Sequence, residues 1–199
     1  MSDSNRSVNG EAKRVVPAKF AHAVLRTNKF DEMVKWYTTV LQAEIVHATS
    51  RLAFMTYDDE HHRLAIAAFP GLVDRAPRSV GLDHLAYTYE RIEDLLFTYE
   101  RLKAAGILPG ITINHGVTTS FYYRDPDGNR VELQIDNFPT VEELKAFFRS
   151  DAMKDNPIGV NIDPEHLVRR HREGASFAEL THYDAAKGLD PSMMARFAD

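Results

Sequence analysis

Apolar residues recur along the chain in two rhythms, one of period two and one near 3.6, and the alternation between them lays out its elements. Phe20 to Arg26 reads as a strand, and Phe30, Met33, Val34, Tyr37, Val40 and Leu41 follow at helical spacing. Three short strands are predicted next, over Glu44–Thr49, Leu52–Tyr57 and Arg63–Phe69, with acidic Asp58-Asp59-Glu60 at the last turn. Pro70-Gly71 closes the unit, and the segment to Ser79 reads as a linker. The order then repeats. Gly81 to Tyr89 predicts a strand, and Arg91 to Ala105 a helix with Ile92, Leu95, Leu96, Tyr99 and Leu102 inward and Gly106 as its stop. Strands follow over Ile111–Asn114, Ser120–Arg124 and Asn129–Asp136.

A β-α-β-β-β order thus occurs twice. A shift of 62 residues places His22 on His84, Phe30 on Ile92, Met33 on Leu95 and Tyr37 on Tyr99. A shift of 67 places Arg63-Leu64-Ala65 on Arg130-Val131-Glu132. The fold class expected is α+β: two βαβββ modules, residues 18–70 and 80–136, curl into an incomplete barrel around a metal site, with helices outside. Residues 1–17 are polar and expected to be disordered. Residues 137–199 form a helical C-terminal extension, carrying a capping box at Thr140–Glu143 and helices near 138–149, 164–172 and 176–181. Its expected place is on the barrel or on another subunit, so a homo-oligomer is expected.

Composition narrows the chemistry. The 24 basic and 29 acidic residues are well mixed and leave a net charge of −5, so no basic stripe points to nucleic acid. No apolar run approaches membrane-spanning length, and no segment resembles a signal peptide. A cytoplasmic protein without membrane or nucleic-acid partners is the expectation. The sequence has no cysteine, which excludes thiolate metal sites and thiol nucleophiles. Any metal is left to histidine and carboxylate.

The stretch from His115 to Glu132 concentrates the candidate chemistry. It reads as strand, tight Asp125-Pro126-Asp127-Gly128 turn, and strand. Val131, Leu133 and Ile135 alternate with Arg130, Glu132 and Gln134, so Glu132 can point into a barrel, where a carboxylate needs a partner or a metal. His22, His84 and Glu132 are the polar residues at first-strand and last-strand positions around such a cavity. Two histidines and one carboxylate leave three adjacent positions of an octahedral metal open, which suits non-haem Fe(II), with Mn(II) as the alternative. Ala65 stands where symmetry would place a fourth ligand, which argues against a four-ligand Lewis-acid isomerase. His47, His166, His171 and His182 lie on a middle strand or in the extension and suggest no site.

Ile113, His115, Phe121, Tyr122, Asp125, Pro126, Gly128 and Glu132 stand in a spacing that resembles the vicinal oxygen chelate superfamily (glyoxalase, bleomycin resistance and dioxygenase), and within it the type I extradiol catechol dioxygenases of the small, one-domain, 2,3-dihydroxybiphenyl 1,2-dioxygenase-like type. The doubled module extends the resemblance over residues 18–136. The resemblance implies an enzyme that opens a catechol ring beside its diol, inserting both atoms of O2 into a substrate such as 2,3-dihydroxybiphenyl or catechol. It implies that His22, His84 and Glu132 are metal ligands. His115 then matches a histidine that bonds bound substrate and dioxygen, and Tyr122 a tyrosine that bonds the catecholate. An acid–base histidine is implied at His61-His62. The second of the pair, His62, is preferred, although strand parity with Ala65 favours His61. A glyoxalase-like metal-dependent isomerase or lyase, and a non-catalytic resistance protein that binds small molecules, are the alternative readings.

Overall fold

The computed structural model describes residues 14–76, 78–184 and 187. Of the segment expected to be disordered, residues 1–13 lie outside the described residues, and 14–17 belong to no helix or strand. The last twelve residues of the extension also lie outside them.

The doubled module is present. The first comprises β1 (Ala23–Thr27), α1 (Phe30–Val40), β2 (Glu44–Ala48), β3 (Leu52–Thr56) and β4 (Leu64–Ala68). The second comprises β5 (His84–Tyr89), α2 (Ile92–Ala104), β6 (Ile111–Asn114), β7 (Thr118–Arg124) and β8 (Arg130–Asp136). The first sheet runs β1-β4-β3-β2, with β1 parallel to β4 and the other pairs antiparallel. The second repeats this order as β5-β8-β7-β6 and adds β9 (Val160–Asn161) against β6. The repeat holds at the level of register. Val24 faces Ala65 in the first sheet, and Ala86 faces Glu132 in the second, at the shifts the sequence gives.

Each strand divides its residues by the pleat. In the first sheet Ala23, Leu25, Met55, Leu64 and Ile66 turn toward α1, and in the second Leu85, Phe121, Tyr123, Val131, Leu133 and Ile135 turn toward α2. These residues and both helices form one continuous core. The two helices touch each other, and Arg101 of α2 donates to the carbonyls of Thr39 and Val40 at the end of α1. Tyr37 of α1 donates to buried Asp125 of the β7–β8 turn at 3.1 Å. The modules therefore bury their helix-bearing faces against each other. The opposite faces, which carry the candidate site residues, turn outward. Among the described residues the sheets do not hydrogen-bond to each other, and no barrel closes. The helices, expected outside, lie in the shared core because the apolar face that each sheet leaves uncovered by its own helix is met by the other module.

The extension lies on its own chain. α3 (Val141–Phe147) and α4 (Asp151–Asp155) begin at Thr140 and Ser150, whose side chains accept from Glu143 and Met153 amides. α5 (Pro164–Arg172) packs on α2, and α6 (Phe177–Leu180) starts in a capping box of Ser176 and Glu179. The short α4 and β9 were not expected from sequence.

Candidate functional site

The outward face of the second sheet carries a connected polar group. Glu132 sits at the centre of β8, paired in register with Ala86 on one side and Tyr122 on the other. It is only 4% exposed. Its Oε2 lies 2.9 Å from His84 Nε2, and its Oε1 accepts from the Tyr122 hydroxyl at 2.9 Å. Burial pushes the Glu132 carboxyl up, but the bonds from His84, Ser120 and Tyr122 outweigh it and hold the group below the usual carboxylate range. A buried carboxylate kept ionised, with an imidazole nitrogen beside it, is the donor chemistry of a divalent-metal site.

His84 is fixed from behind. Its Nδ1 meets Asp83 at 2.8 Å, and Asp83 in turn accepts from buried Arg130 at 2.9 and 3.0 Å. The bond to Glu132, helped by Asp83, raises the His84 pKa despite partial burial. With Nδ1 committed to Asp83, Nε2 is the nitrogen left for a metal, the usual carboxylate–histidine arrangement. Asp83 and Arg130 were not singled out from sequence. Their signal is there, because Asp83 precedes His84 directly and Arg130 shares the pleat face of Glu132.

His115 closes the other end. Its Nε2 lies 2.9 Å from the Tyr122 hydroxyl, and its Nδ1 bonds the carbonyl of Ile158 in the extension. A carbonyl only accepts, so Nδ1 carries a proton. Tyr122 has a single proton, so its direction is coupled to the charge on His115. With His115 protonated, Nε2–H donates to Tyr122 and Tyr122 donates to Glu132. With His115 neutral, Nε2 can accept from the Tyr122 hydroxyl only in place of the bond that Tyr122 donates to Glu132. Burial lowers the His115 pKa against the opposing Ile158 bond, which favours the neutral form near pH 7.

Ile158 is placed by a turn. Asn156 Oδ1 accepts from the amides of Ile158 and Gly159 at 3.3 and 2.9 Å, and its Nδ2 donates to the Gly159 carbonyl at 2.8 Å. Gly159 has φ +117°, and a Cβ there would lie 2.3 Å from the Asn114 carbonyl oxygen. Only glycine fits. No sequence pattern reveals a backbone carbonyl as a site partner, so this contact was not foreseen.

His22 and His62 form a second group, on the outward face of the first sheet. Their rings are 4.3 Å apart, and the His62 ring also meets Phe54 edge-on at 4.9 Å. His61 is exposed, with Nδ1 2.6 Å from that of His62. Burial, with His22 and His61 beside it, lowers the His62 pKa. Ala65 lies between Val24 and Phe54 and offers no ligand. The structure thus brings His84, Glu132, Tyr122 and His115 together, and His22 with His62, but does not join the two groups. Among the described residues, no three histidine or acidic side chains converge to hold a metal ion.

Comparison with known proteins follows the same outline. The family model described as Glyoxalase/Bleomycin resistance protein/Dioxygenase superfamily matches residues 19–133. The chain is 45% identical over 176 residues to biphenyl-2,3-diol 1,2-dioxygenase 2 of Rhodococcus globerulus, covering 88% of this chain and 93% of that protein. It is 44% identical over 168 residues to biphenyl-2,3-diol 1,2-dioxygenase 3 of the same organism, covering 83% and 88%. Among solved structures, a glyoxylase/bleomycin resistance protein/dioxygenase domain from Frankia sp. EAN1pec aligns with a TM-score of 0.53 at 21% identity, over 63% of this chain and 96% of that one, a likeness of fold.

Proposed function

The chain belongs to the Glyoxalase/Bleomycin resistance protein/Dioxygenase superfamily, and from that premise we propose that it is an extradiol dioxygenase, cleaving the ring of a catechol such as 2,3-dihydroxybiphenyl with O2. The observation that carries the reading is the likeness, at 45% identity over 88% of the chain, to a protein named for that chemistry. The site supports it. His84 and Glu132 are the donors a divalent metal would take from the second module, and His22 is assigned as the third ligand. We propose Fe(II) as the metal, on the two-histidine, one-carboxylate donor set. When bound, it supplies the Lewis acidity and electron traffic that a reaction between a catechol and dioxygen needs.

The remaining work falls to the chain's own side chains. His62, its pKa lowered, is neutral near pH 7 and can accept a hydroxyl proton as the catechol binds. Tyr122 can turn its hydroxyl from Glu132 to a catecholate oxygen. His115 Nε2 gains or loses its proton as that hydroxyl turns, and places positive charge where negative charge develops on oxygen. His61, exposed, is less suited to a proton-transfer role than His62. No helix of the described residues is long and apolar enough to cross a membrane, and a cytoplasmic setting without nucleic-acid partners is part of the proposal, supported by the absence of cysteine and of a basic stripe.

The test is anaerobic reconstitution with Fe(II) or Mn(II), then aerobic mixing with a panel of catechols. Fe(II)-loaded protein should give yellow ring-fission products; no product from any catechol with either metal overturns the proposal. Tyr122→Phe, at matched iron content, should weaken turnover or catechol binding by about 1.5–3 kcal/mol, the scale of a hydrogen bond to a charged oxygen. His62→Phe should retain iron and bind catechol but turn over about 10²- to 10⁴-fold more slowly.

A further inference from the structure

The internal repeat sets an arginine opposite each assigned ligand histidine. Arg130 heads β8 and pairs in register with His84, the first residue of β5. Arg63 holds the matching place one residue ahead of β4. Ala23, which follows His22, pairs with Leu64, which follows Arg63, and the Ala23 amide donates to the Arg63 carbonyl at 3.0 Å. The shifts of the doubled module, 62 for the histidine and 67 for the arginine, relate the two pairs. Each arginine holds the residue just before its histidine, but through a different acceptor. Arg130 holds the Asp83 carboxylate, and Asp83 holds the His84 ring. The counterpart of Asp83 is Ala21, which has no side-chain acceptor. There the arginine turns to the main chain, and Arg63 Nη1 donates to the carbonyls of Phe20 at 2.6 Å and Ala21 at 3.2 Å.

The Arg63 guanidinium is itself built in. Its Nε donates to both Asp58 oxygens, at 3.2 and 2.9 Å. Asp58 Oδ1 also accepts from the Glu60 amide at 3.1 Å, and the Thr56 hydroxyl closes the turn on the carbonyls of Asp58 and Glu60 at 3.1 and 2.9 Å. The Glu60 carboxylate pairs with Lys19. His22 precedes β1, in a segment that belongs to no helix or strand. The turn therefore ties Lys19, Phe20 and Ala21 to the sheet by side chains rather than by a strand ladder. We propose that Arg63 is the positioning residue for His22, in the role that Arg130, through Asp83, has for His84. The inference rests on the ligand assignment of the proposed function. Arg63 touches neither metal nor substrate. It fixes the backbone that carries the histidine, so the ordering cost is met on folding and not when the metal binds. Arg130 acts one atom group further on, because Asp83 orients the imidazole itself. The repeat thus keeps the arginine and changes what it grips.

Metal affinity tests this. The full chain and its variants are stripped of metal and titrated anaerobically with Fe(II) against a chromogenic chelator, and separately with Co(II) for its visible absorption. Arg63→Met keeps the aliphatic stem and removes every donor. It should bind Fe(II) about 10- to 100-fold more weakly, the range for a lost outer partner of a ligand. Asp83→Ala, at a half-exposed position, should lose affinity within the same range. The Co(II) band of Arg63→Met should change shape at full occupancy, which an arginine that only stabilised the fold would not cause. Arg63→Lys keeps one charged donor and should fall between Arg63→Met and wild type. If Arg63→Met does not fold, Arg63→Lys decides alone: weaker Fe(II) binding than wild type supports the role, and wild-type affinity overturns it. His22→Ala separates the two levels of the argument. Wild-type Fe(II) affinity in His22→Ala would overturn the ligand assignment, and the positioning role with it. Weak binding in His22→Ala beside wild-type affinity and an unchanged Co(II) band in Arg63→Met would overturn the positioning role alone.

Discussion

His115 shows how much of the site one side chain can set. Its ring joins Tyr122 on one side and a backbone carbonyl on the other, and burial makes it harder to protonate than an ordinary imidazole. The consequence for stability has a definite sign. Between the folded midpoint and the ordinary value near 6.5, the unfolded chain binds more protons than the folded one. Stability therefore climbs with pH across that window. In metal-free protein, the His115 C2 proton should titrate below about 6.5 by NMR, and His115→Gln should flatten the rise in unfolding free energy with pH below about 6.5. A midpoint at or above the ordinary value would contradict the assigned environment. At this scale the sequence was informative where function rests on side chains. The spacing of His115, Tyr122 and Glu132 marked three residues that the fold brings into one hydrogen-bonded chain. It said nothing of Ile158, whose contribution is a carbonyl oxygen shared by every residue type.

Among elements, the Asn156–Gly159 turn has an effect out of proportion to its length. It hands β9 to the edge of β6 and delivers the Ile158 carbonyl to His115. Gly159 sits at φ +117°, and any side chain would collide with the Asn114 backbone. Gly159→Ala should cost about 1–3 kcal/mol in chemical denaturation, the scale of a strained backbone position. It should also move the His115 Nδ1 signal in nitrogen-15 spectra, because the carbonyl shifts with the turn. An unchanged Nδ1 signal would mean that the turn does not position the ring. Elements with a strong apolar period were legible in advance. Both long helices and all eight strands of the two modules fall within a few residues of their predicted bounds. β9 was not legible, because two residues carry no period and its pairing depends on a turn held by Asn156.

For the whole molecule, sequence periodicity reveals which face of an element is apolar but not which surface will cover it. That is why the doubled module could be read while the arrangement of its halves could not. A barrel with helices outside and a layered body with helices between the sheets make the same demand on Leu64, Ile66, Leu133 and Ile135, which turn from solvent in either. The observed choice is the layered body, and its joint is Tyr37. This residue is fully buried on α1 and donates its hydroxyl to Asp125 in the turn of the other module. Asp125 is otherwise held by the amides of Asp127 and Asn129 and by the Asn129 side chain. Burial pushes its carboxyl above the usual range despite those bonds, so it depends on every donor it has. Tyr37→Phe keeps the ring in the core and removes one donor from a buried carboxylate. The expected loss is about 1–3 kcal/mol in unfolding free energy. Because the core is continuous across both modules, that loss should shift one cooperative transition, with Trp36 fluorescence and far-ultraviolet circular dichroism moving together. Two separated transitions, with only the first module's tryptophan responding, would show that the modules fold as independent bodies and that the joint at Tyr37 does not bind them.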